Sequence, residues 1–411
     1  MTNEEYISLN LDADVRPLAL KKAPKGVDVS WCLRQIEGYQ LAKKKLPSWA
    51  DTKGMWYPPR LAMEQCSSEA AATYKSSIVD RLAKDFSKAN YVDLTGGFGV
   101  DFAYMSKHFS KAIYVEQQEE LCKVARHNFH VLGLNNAQVL NSDCRTALET
   151  LASETDIIYI DPARRSDDGR KTIAISDCTP DVISLQDELF RKSGHIVIKL
   201  SPMLDITQAL RELKKVKEVH IISIKGECKE LLFVLDSSAT DDCAAEFHCV
   251  NLNTKDAPLI SAGRPSARAD IARVSTEELH GTALFEPNAS IMKARMQAEF
   301  AAQYGLTQLH PQSNLFICKK GTDDQSDAEK RKHIPARSFE IIEASDFSKK
   351  SIRQLLKDTT KGNLTVRNFP ASVAVLRKKL KLQEGGEYYF FATTLANDKH
   401  VLIKCLPLNI H

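Results

Sequence analysis

The residues best suited to chemistry stand in one run, Val92-Asp93-Leu94-Thr95-Gly96-Gly97-Phe98-Gly99-Val100-Asp101. The run follows a strand pattern and opens a helix pattern. Glycines at such a place let the backbone turn sharply and approach a ligand with no Cβ in the way. The helix start adds unpaired N–H groups and the positive end of a dipole, so the turn is suited to a small anion. Glu116 closes the next strand, where a carboxylate can accept from both hydroxyls of a ribose. Ser142-Asp143-Cys144 follows the third strand. There Asp143 can accept from an adenine amino group and Cys144 can pack on the ring. Ligands of open α/β sheets sit outside the C-terminal strand ends, so these groups converge.

The carboxylate of S-adenosyl-L-methionine (SAM) is one anion that fits this turn. The rival is a dinucleotide-dependent dehydrogenase, whose G-x-G-x-x-G fingerprint needs a third glycine at position 102, and Phe102 stands there. Asp93, Thr95, Gly96, Gly97, Gly99, Glu116, Asp143 and Cys144 are therefore the expected cofactor contacts.

The fourth strand runs into Asp161-Pro162-Ala163-Arg164-Arg165-Ser166. This run resembles the [D/N]-P-P-aromatic run of methyltransferases that act on nitrogen. In those enzymes an acid or amide oxygen and a proline carbonyl hold the acceptor nitrogen with its lone pair aimed at the methyl group, so catalysis is mainly positioning. Asp161 and Pro162 take the catalytic role in that reading; Ala163 and Arg164 depart from the pattern. Arg164 and Arg165, with Arg170 and Lys171, are expected to meet phosphate or carboxylate of the substrate. Salt bridges to Asp167 and Asp168 are the alternative. A uracil-C5 methyltransferase would need a cysteine after the fifth strand; Lys199-Leu200-Ser201-Pro202 has none.

The elements that position these groups can be read from periodicity. Short apolar runs at 91–94, 112–115, 137–140, 156–160, 195–200, 218–222 and 231–235 alternate with amphipathic stretches. That predicts a doubly wound, mostly parallel sheet. A Lys225-Gly226-Glu227 turn joins the last two runs, so the sheet is expected to end in a hairpin with one antiparallel strand. Before the sheet, residues 29–45 place Val29, Cys32, Leu33, Ile36 and Tyr39 on one helical stripe that Pro47 ends. A second helix is expected from about Ser67 to Ala83, with Ser67 as N-cap. After the sheet, the small polar stretch 236–245 reads as a domain exit. Strands at 247–252, 315–318, 337–342, 363–367, 388–394 and 400–406 follow, with helices at 289–304, 348–357 and 372–380. Asn288 is the expected N-cap of the first of these, and 321–332 reads as a charged loop or helix turn.

The chain has 411 residues and a formal charge of +3, too small to name a partner. The distribution says more: residues 349–381 carry about ten basic groups against one acid, Asp358, a pattern that can collect phosphate backbone or serve as a solvated face. The ten cysteines have no C-x-x-C pair, so structural zinc is not expected. No apolar run is long enough for a bilayer, and the N-terminus lacks a secretory pattern. A cytoplasmic protein is the expectation.

Taken together, the chain resembles a bacterial family of class I SAM-dependent methyltransferases with a C-terminal THUMP-like domain. The resemblance rests on Gln35-Ile36-Glu37-Gly38, Lys45-Leu46-Pro47, Tyr57-Pro58-Pro59 and Glu64-Gln65-Cys66-Ser67-Ser68-Glu69. It continues through the glycine turn, Asp161 to Arg165, Leu284-Phe285-Glu286-Pro287-Asn288, Val366-Arg367-Asn368-Phe369-Pro370 and Phe391-Ala392-Thr393-Thr394-Leu395. It implies an α/β fold: a Rossmann-like seven-stranded methyltransferase domain at 76–240, an N-terminal helical segment at 1–75, a ferredoxin-like α+β unit at 241–335 and a THUMP-like unit at 336–411. It implies SAM as cofactor, with Gln65 and Ser68 closing over it; no metal is expected. THUMP domains bind RNA, so tRNA or rRNA is the expected substrate, acted on at nitrogen, with Lys361, Arg367, Arg377 and Lys378 on its backbone. A small-molecule or protein methyltransferase, and a SAM-binding RNA scaffold without transfer activity, are the alternatives.

Overall fold

A computed structural model of the chain describes all residues except 84–87, 152–154, 165–173, 241–243, 253–258, 263–268, 319–332 and 409–411. Arg165, Arg170, Lys171 and the charged stretch 321–332 lie outside the described residues. The chain forms two compact units, Met1–Glu218 with Leu231–Cys243, and Val219–Glu230 with Ala244–His411.

In the first unit, strands β1 (Asn90–Asp93), β2 (Lys111–Glu116), β3 (Ala137–Asn141), β4 (Thr155–Ile160) and β5 (Ser193–Leu200) are parallel neighbours in the order β3-β2-β1-β4-β5. The hairpin β6 (Val216–Ile224) and β7 (Glu227–Asp236) is divided between the units, and β7 runs antiparallel beside β5. The expected alternation and the expected final hairpin are both present. Reversal of strand order at β1 and β4 opens a crevice at their C-terminal ends, where ligands of such sheets bind.

The N-terminal helices share one apolar core with these strands. Leu46, Trp49, Tyr57 and Met63 pack with Phe98, Phe102, Tyr114 and Phe129. The helix Val29–Lys45 starts on Asp28, whose side chain accepts from the Trp31 N–H, and ends before Pro47. Its motif residues have structural work to do. Gln35 donates to the Tyr57 carbonyl (3.0 Å) and accepts from the Tyr57 N–H (2.7 Å). A Cβ at Gly38 would lie 2.2 Å from Tyr57 Cβ, so only glycine lets that segment dock. Lys45 donates to the Met63 and Glu64 carbonyls. The two motifs thus set the path of the chain into residues 65–69.

In the second unit, β8 (Glu246–Leu252) pairs with β9 (Leu259–Ala262). A separate seven-stranded sheet contains β10 (Ala283–Pro287), β11 (Leu306–Gln308), β12 (Phe316–Cys318), β13 (Ala336–Asp346), β14 (Asn363–Val366), β15 (Tyr389–Thr394) and β16 (His400–Pro407). Their order is β11-β12-β10-β13-β16-β15-β14, so strands from both sides of residue 335 share one sheet. The two-residue period of a strand sends Phe391, Val401 and Ile403 to one apolar cluster and Phe390, Ala392 and Leu402 to another.

Several expectations need correction. The helix expected over 289–304 is two helices, Ala289–Ala294 and Gln297–Tyr304, because Arg295 between them adopts a left-handed conformation with φ 60°. Asn288 occupies the N-cap position but makes no capping side-chain bond. The residues before it, 283–287, form a strand that the sequence reading missed. Ser68, not Ser67, caps the helix Glu69–Leu82, accepting from the Ala71 N–H. Ser67 is instead drawn inward by a buried charge pair.

Candidate active site at the end of the parallel sheet

The glycine turn leaves β1 and enters the helix Val100–Met105 through Gly97 (φ 55°) and Gly99 (φ 84°). Gly96 is required by packing: a Cβ there would sit 2.1 Å from the Tyr114 ring. Around Gly97 the nearest atom to a built Cβ is 3.9 Å away, so that face of the turn is open. The turn is held from three sides. The Gly97 N–H donates to Glu116 Oε2 (2.9 Å), and the Tyr114 hydroxyl donates to the Gly97 carbonyl. Asp93 accepts from the Thr95 N–H (2.9 Å). Burial pushes the Asp93 carboxyl well above the ordinary range, against the pull of that N–H.

Glu116 is buried at the end of β2 and also accepts from the Gln118 N–H (2.8 Å). Each carboxylate oxygen therefore has one backbone donor and keeps a second acceptor site, which suits the two hydroxyls of a ribose. Asp143 caps the helix Cys144–Thr150, accepting from the Thr146 N–H through one oxygen (3.0 Å), which lowers its pKa. Cys144 is half-buried, and burial pushes its thiol up to about 12, so it is a packing surface rather than a nucleophile. An open glycine turn, a ribose-ready acid and two groups at the third strand fit the donor set that SAM requires. Gln65 lies exposed at the last turn of the helix Arg60–Gln65, on the segment that leads into Ser68.

Asp161 lies at the end of β4 and is tied to the turn, since its N–H donates to Thr95 Oγ1 (2.6 Å). Lys199, at the end of β5, donates to Asp161 Oδ2 (2.6 Å). Pro162 is buried beside it. Ala163 and Arg164 form a two-residue ladder with Thr179 and Cys178.

Behind Asp161 stands a cluster that sequence reasoning missed. Asp101 lies 2.9 Å from Lys75 Nζ through each oxygen, 3.8 Å from Lys199 Nζ, and accepts from Ser67 (2.8 Å) and the Tyr159 hydroxyl (2.9 Å). Lys75 is fully buried and also donates to Ser67 (2.6 Å). Burial raises the Asp101 carboxyl, but the ammonium groups of Lys75 and Lys199 outweigh it and hold the pKa below its ordinary value. There were signals. Asp101 ends the glycine motif. Lys75 interrupts the apolar stripe Ala71, Ala72, Ile78, Val79. Lys199 is the charged residue of an otherwise apolar strand end.

The expected substrate residues of the basic stretch all lie in the second unit. Lys361 and Lys378 are exposed. Arg377 donates to the Gly362 carbonyl (3.2 Å) and approaches Glu384 (3.8 Å). Arg367 is committed to Glu286 through Nε (2.7 Å), which the sequence reading did not foresee.

A doubly wound sheet with a glycine turn, a buried acid at the end of the second strand and an acid-proline strand end is the arrangement expected of a SAM-dependent methyltransferase. The comparisons agree. Residues 70–223 match the family described as conserved hypothetical protein 95, 284–324 a ferredoxin-like domain and 336–407 a THUMP domain-like family. Curated relatives from two strains of Mycobacterium tuberculosis, each described as an uncharacterized S-adenosylmethionine-dependent methyltransferase, are 24% identical over 300 residues, covering 71% of this chain and 73% of theirs. A crystal structure of a candidate methyltransferase from Porphyromonas gingivalis is 30% identical, covers 99% of this chain and 98% of its own, and superimposes with a TM-score of 0.83. The chain belongs to the class I SAM-dependent methyltransferase family with a C-terminal THUMP-like domain, and SAM is its methyl donor. Among the described residues no helix is long and apolar enough to cross a membrane.

Proposed function

We propose that the chain methylates a nitrogen of RNA, tRNA or rRNA, with Asp161 and Pro162 presenting the acceptor to a methyl group held by the residues around Gly97 and Glu116. The observation that carries this reading is the tether of Asp161. Its backbone is bonded to Thr95 of the cofactor turn and its Oδ2 to Lys199, which leaves Oδ1 to accept an N–H of the acceptor. A carboxylate fixed relative to the methyl donor aims a nitrogen lone pair without proton abstraction beforehand. The likeness of residues 336–407 to THUMP domains, with the exposed Lys361 and Lys378, supports RNA as substrate. The protein is then a cytoplasmic RNA-modifying enzyme, with Gln65 and Ser68 closing the cofactor end.

The test is transfer from labelled SAM to total RNA of a strain lacking the gene. Asp161→Ala should abolish label in RNA while calorimetry shows SAM affinity intact, and Lys199→Met should lower kcat by about 100-fold with KM for SAM unchanged. Full activity in Asp161→Ala removes that residue from the mechanism. Label found in protein or small molecules instead of RNA refutes the substrate.

A further inference from the structure

We infer that Glu286, Arg337 and Arg367 build a preorganised site for a phosphodiester group on the second unit, a reading that rests on RNA as the substrate. Two sequence motifs, Leu284 to Asn288 and Val366 to Pro370, have no part in the cofactor end, and this cluster is where they meet. Glu286 on β10 is buried and stands opposite Arg337 on β13 in antiparallel register. Arg337 donates to its Oε2 through Nε (2.8 Å) and through a terminal nitrogen. Arg367, just past β14, donates to Oε1 through Nε (2.7 Å) and lies 2.5 Å away through Nη2. Three strands separate β10 from β14 in the sheet order, yet the two motifs meet at Glu286.

The charge count points to a ligand. A buried carboxylate needs one cation for compensation, and here two guanidinium groups share it. One positive charge is in surplus. Both side chains are open to solvent, Arg337 at 50% and Arg367 at 39%. Arg337 Nη1 has no acceptor among the described residues. Their planes are already set. Arg337 lies over the Phe339 ring at 5.5 Å, and Arg367 Nη1 donates to the Val366 carbonyl (2.9 Å). The next residue is locked as well. Asn368, at φ 50°, is bonded to His310 (2.8 Å), and its carbonyl accepts from Thr394 (2.6 Å). The donors that Glu286 leaves over, above all Arg337 Nη1, sit on guanidinium groups held in place before binding, so they can meet phosphate oxygens with little loss of side-chain freedom.

The experiment measures binding of labelled tRNA and of pyrophosphate to the full chain, for wild type, Arg337→Ala and Arg337→Lys, with SAM affinity and melting temperature as controls. Arg337→Ala should weaken tRNA about tenfold and reduce the slope of log affinity against log salt by about one contact. Arg337→Lys keeps the charge beside Glu286, and so the fold, but lacks the fork; it should bind as weakly as the alanine variant. Wild-type affinity in both variants, or full rescue by lysine, overturns the site while leaving RNA as substrate. Pyrophosphate held through Arg337 with no tRNA binding keeps the site and refutes tRNA as the substrate. Binding of neither ligand refutes the site and tRNA together.

Discussion

Both units contain a buried carboxylate held between two cationic side chains, and the two outcomes differ. In the first unit Asp101 lies between Lys75 and Lys199, and Lys199 continues to a second carboxylate, Asp161. Two cations meet two acids, Lys75 is fully buried, and Lys199 keeps only 13% of its side chain exposed. In the second unit Glu286 lies between Arg337 and Arg367, with no second acid closing the count among the described residues, and both arginines remain half-open. A balanced, buried cluster fixes geometry, here that of Asp161 against the glycine turn. An unbalanced, open one presents charge. The same arrangement, an acid between two cations, does different work because burial and stoichiometry differ.

This contrast can be broken most directly at the lysine. Lys75→Met should cost about 3–5 kcal/mol in unfolding free energy, because it strands a buried charge. Arg337→Met should cost about 1 kcal/mol or less, as for a solvent-screened pair. Equal melting shifts in the two variants would erase the distinction.

A smaller effect sharpens the electrostatic half of it. The folded pKa of Asp101 is depressed, so its contribution to stability is complete above the unfolded carboxylate value of about 4 and is lost as pH falls through the folded value. Melting temperature against pH should fall less steeply below about pH 4 in Asp101→Asn than in wild type, by about one proton. An identical acid limb in both proteins would show that Asp101 carries no such linkage.

The smallest expected change separates capping from charge pairing. Ser68→Ala removes an N-cap beside the cluster and should cost about 1 kcal/mol, well short of Lys75→Met. A loss as large as that of Lys75→Met would mean that Ser68, not Ser67, serves the buried pair.

The glycine turn and the strand-end acids around it were legible because their signals are local. The turn Gly96 to Gly99, the acid Glu116 at a strand end and Asp161 after β4 each follow from strand and helix periods and from where ligands sit on such sheets. The missed strand 283–287 shows the limit: five residues ending in Pro287, with Asn288 behind them, read equally as the approach to a helix. The break at Arg295 was hidden for a similar reason, since a left-handed residue other than glycine leaves no mark in composition.

By itself the sequence determined the order of elements, the glycine turn and the acid-proline strand end, since each is written in neighbouring residues. Only the tertiary structure decided which charges are buried and with whom. Lys75 and Asp101 are 26 residues apart, and Glu286 and Arg367 are 81 apart. Pairs so distant in the chain are chosen by packing, and no local period encodes whether a charge will be closed in or left open to bind.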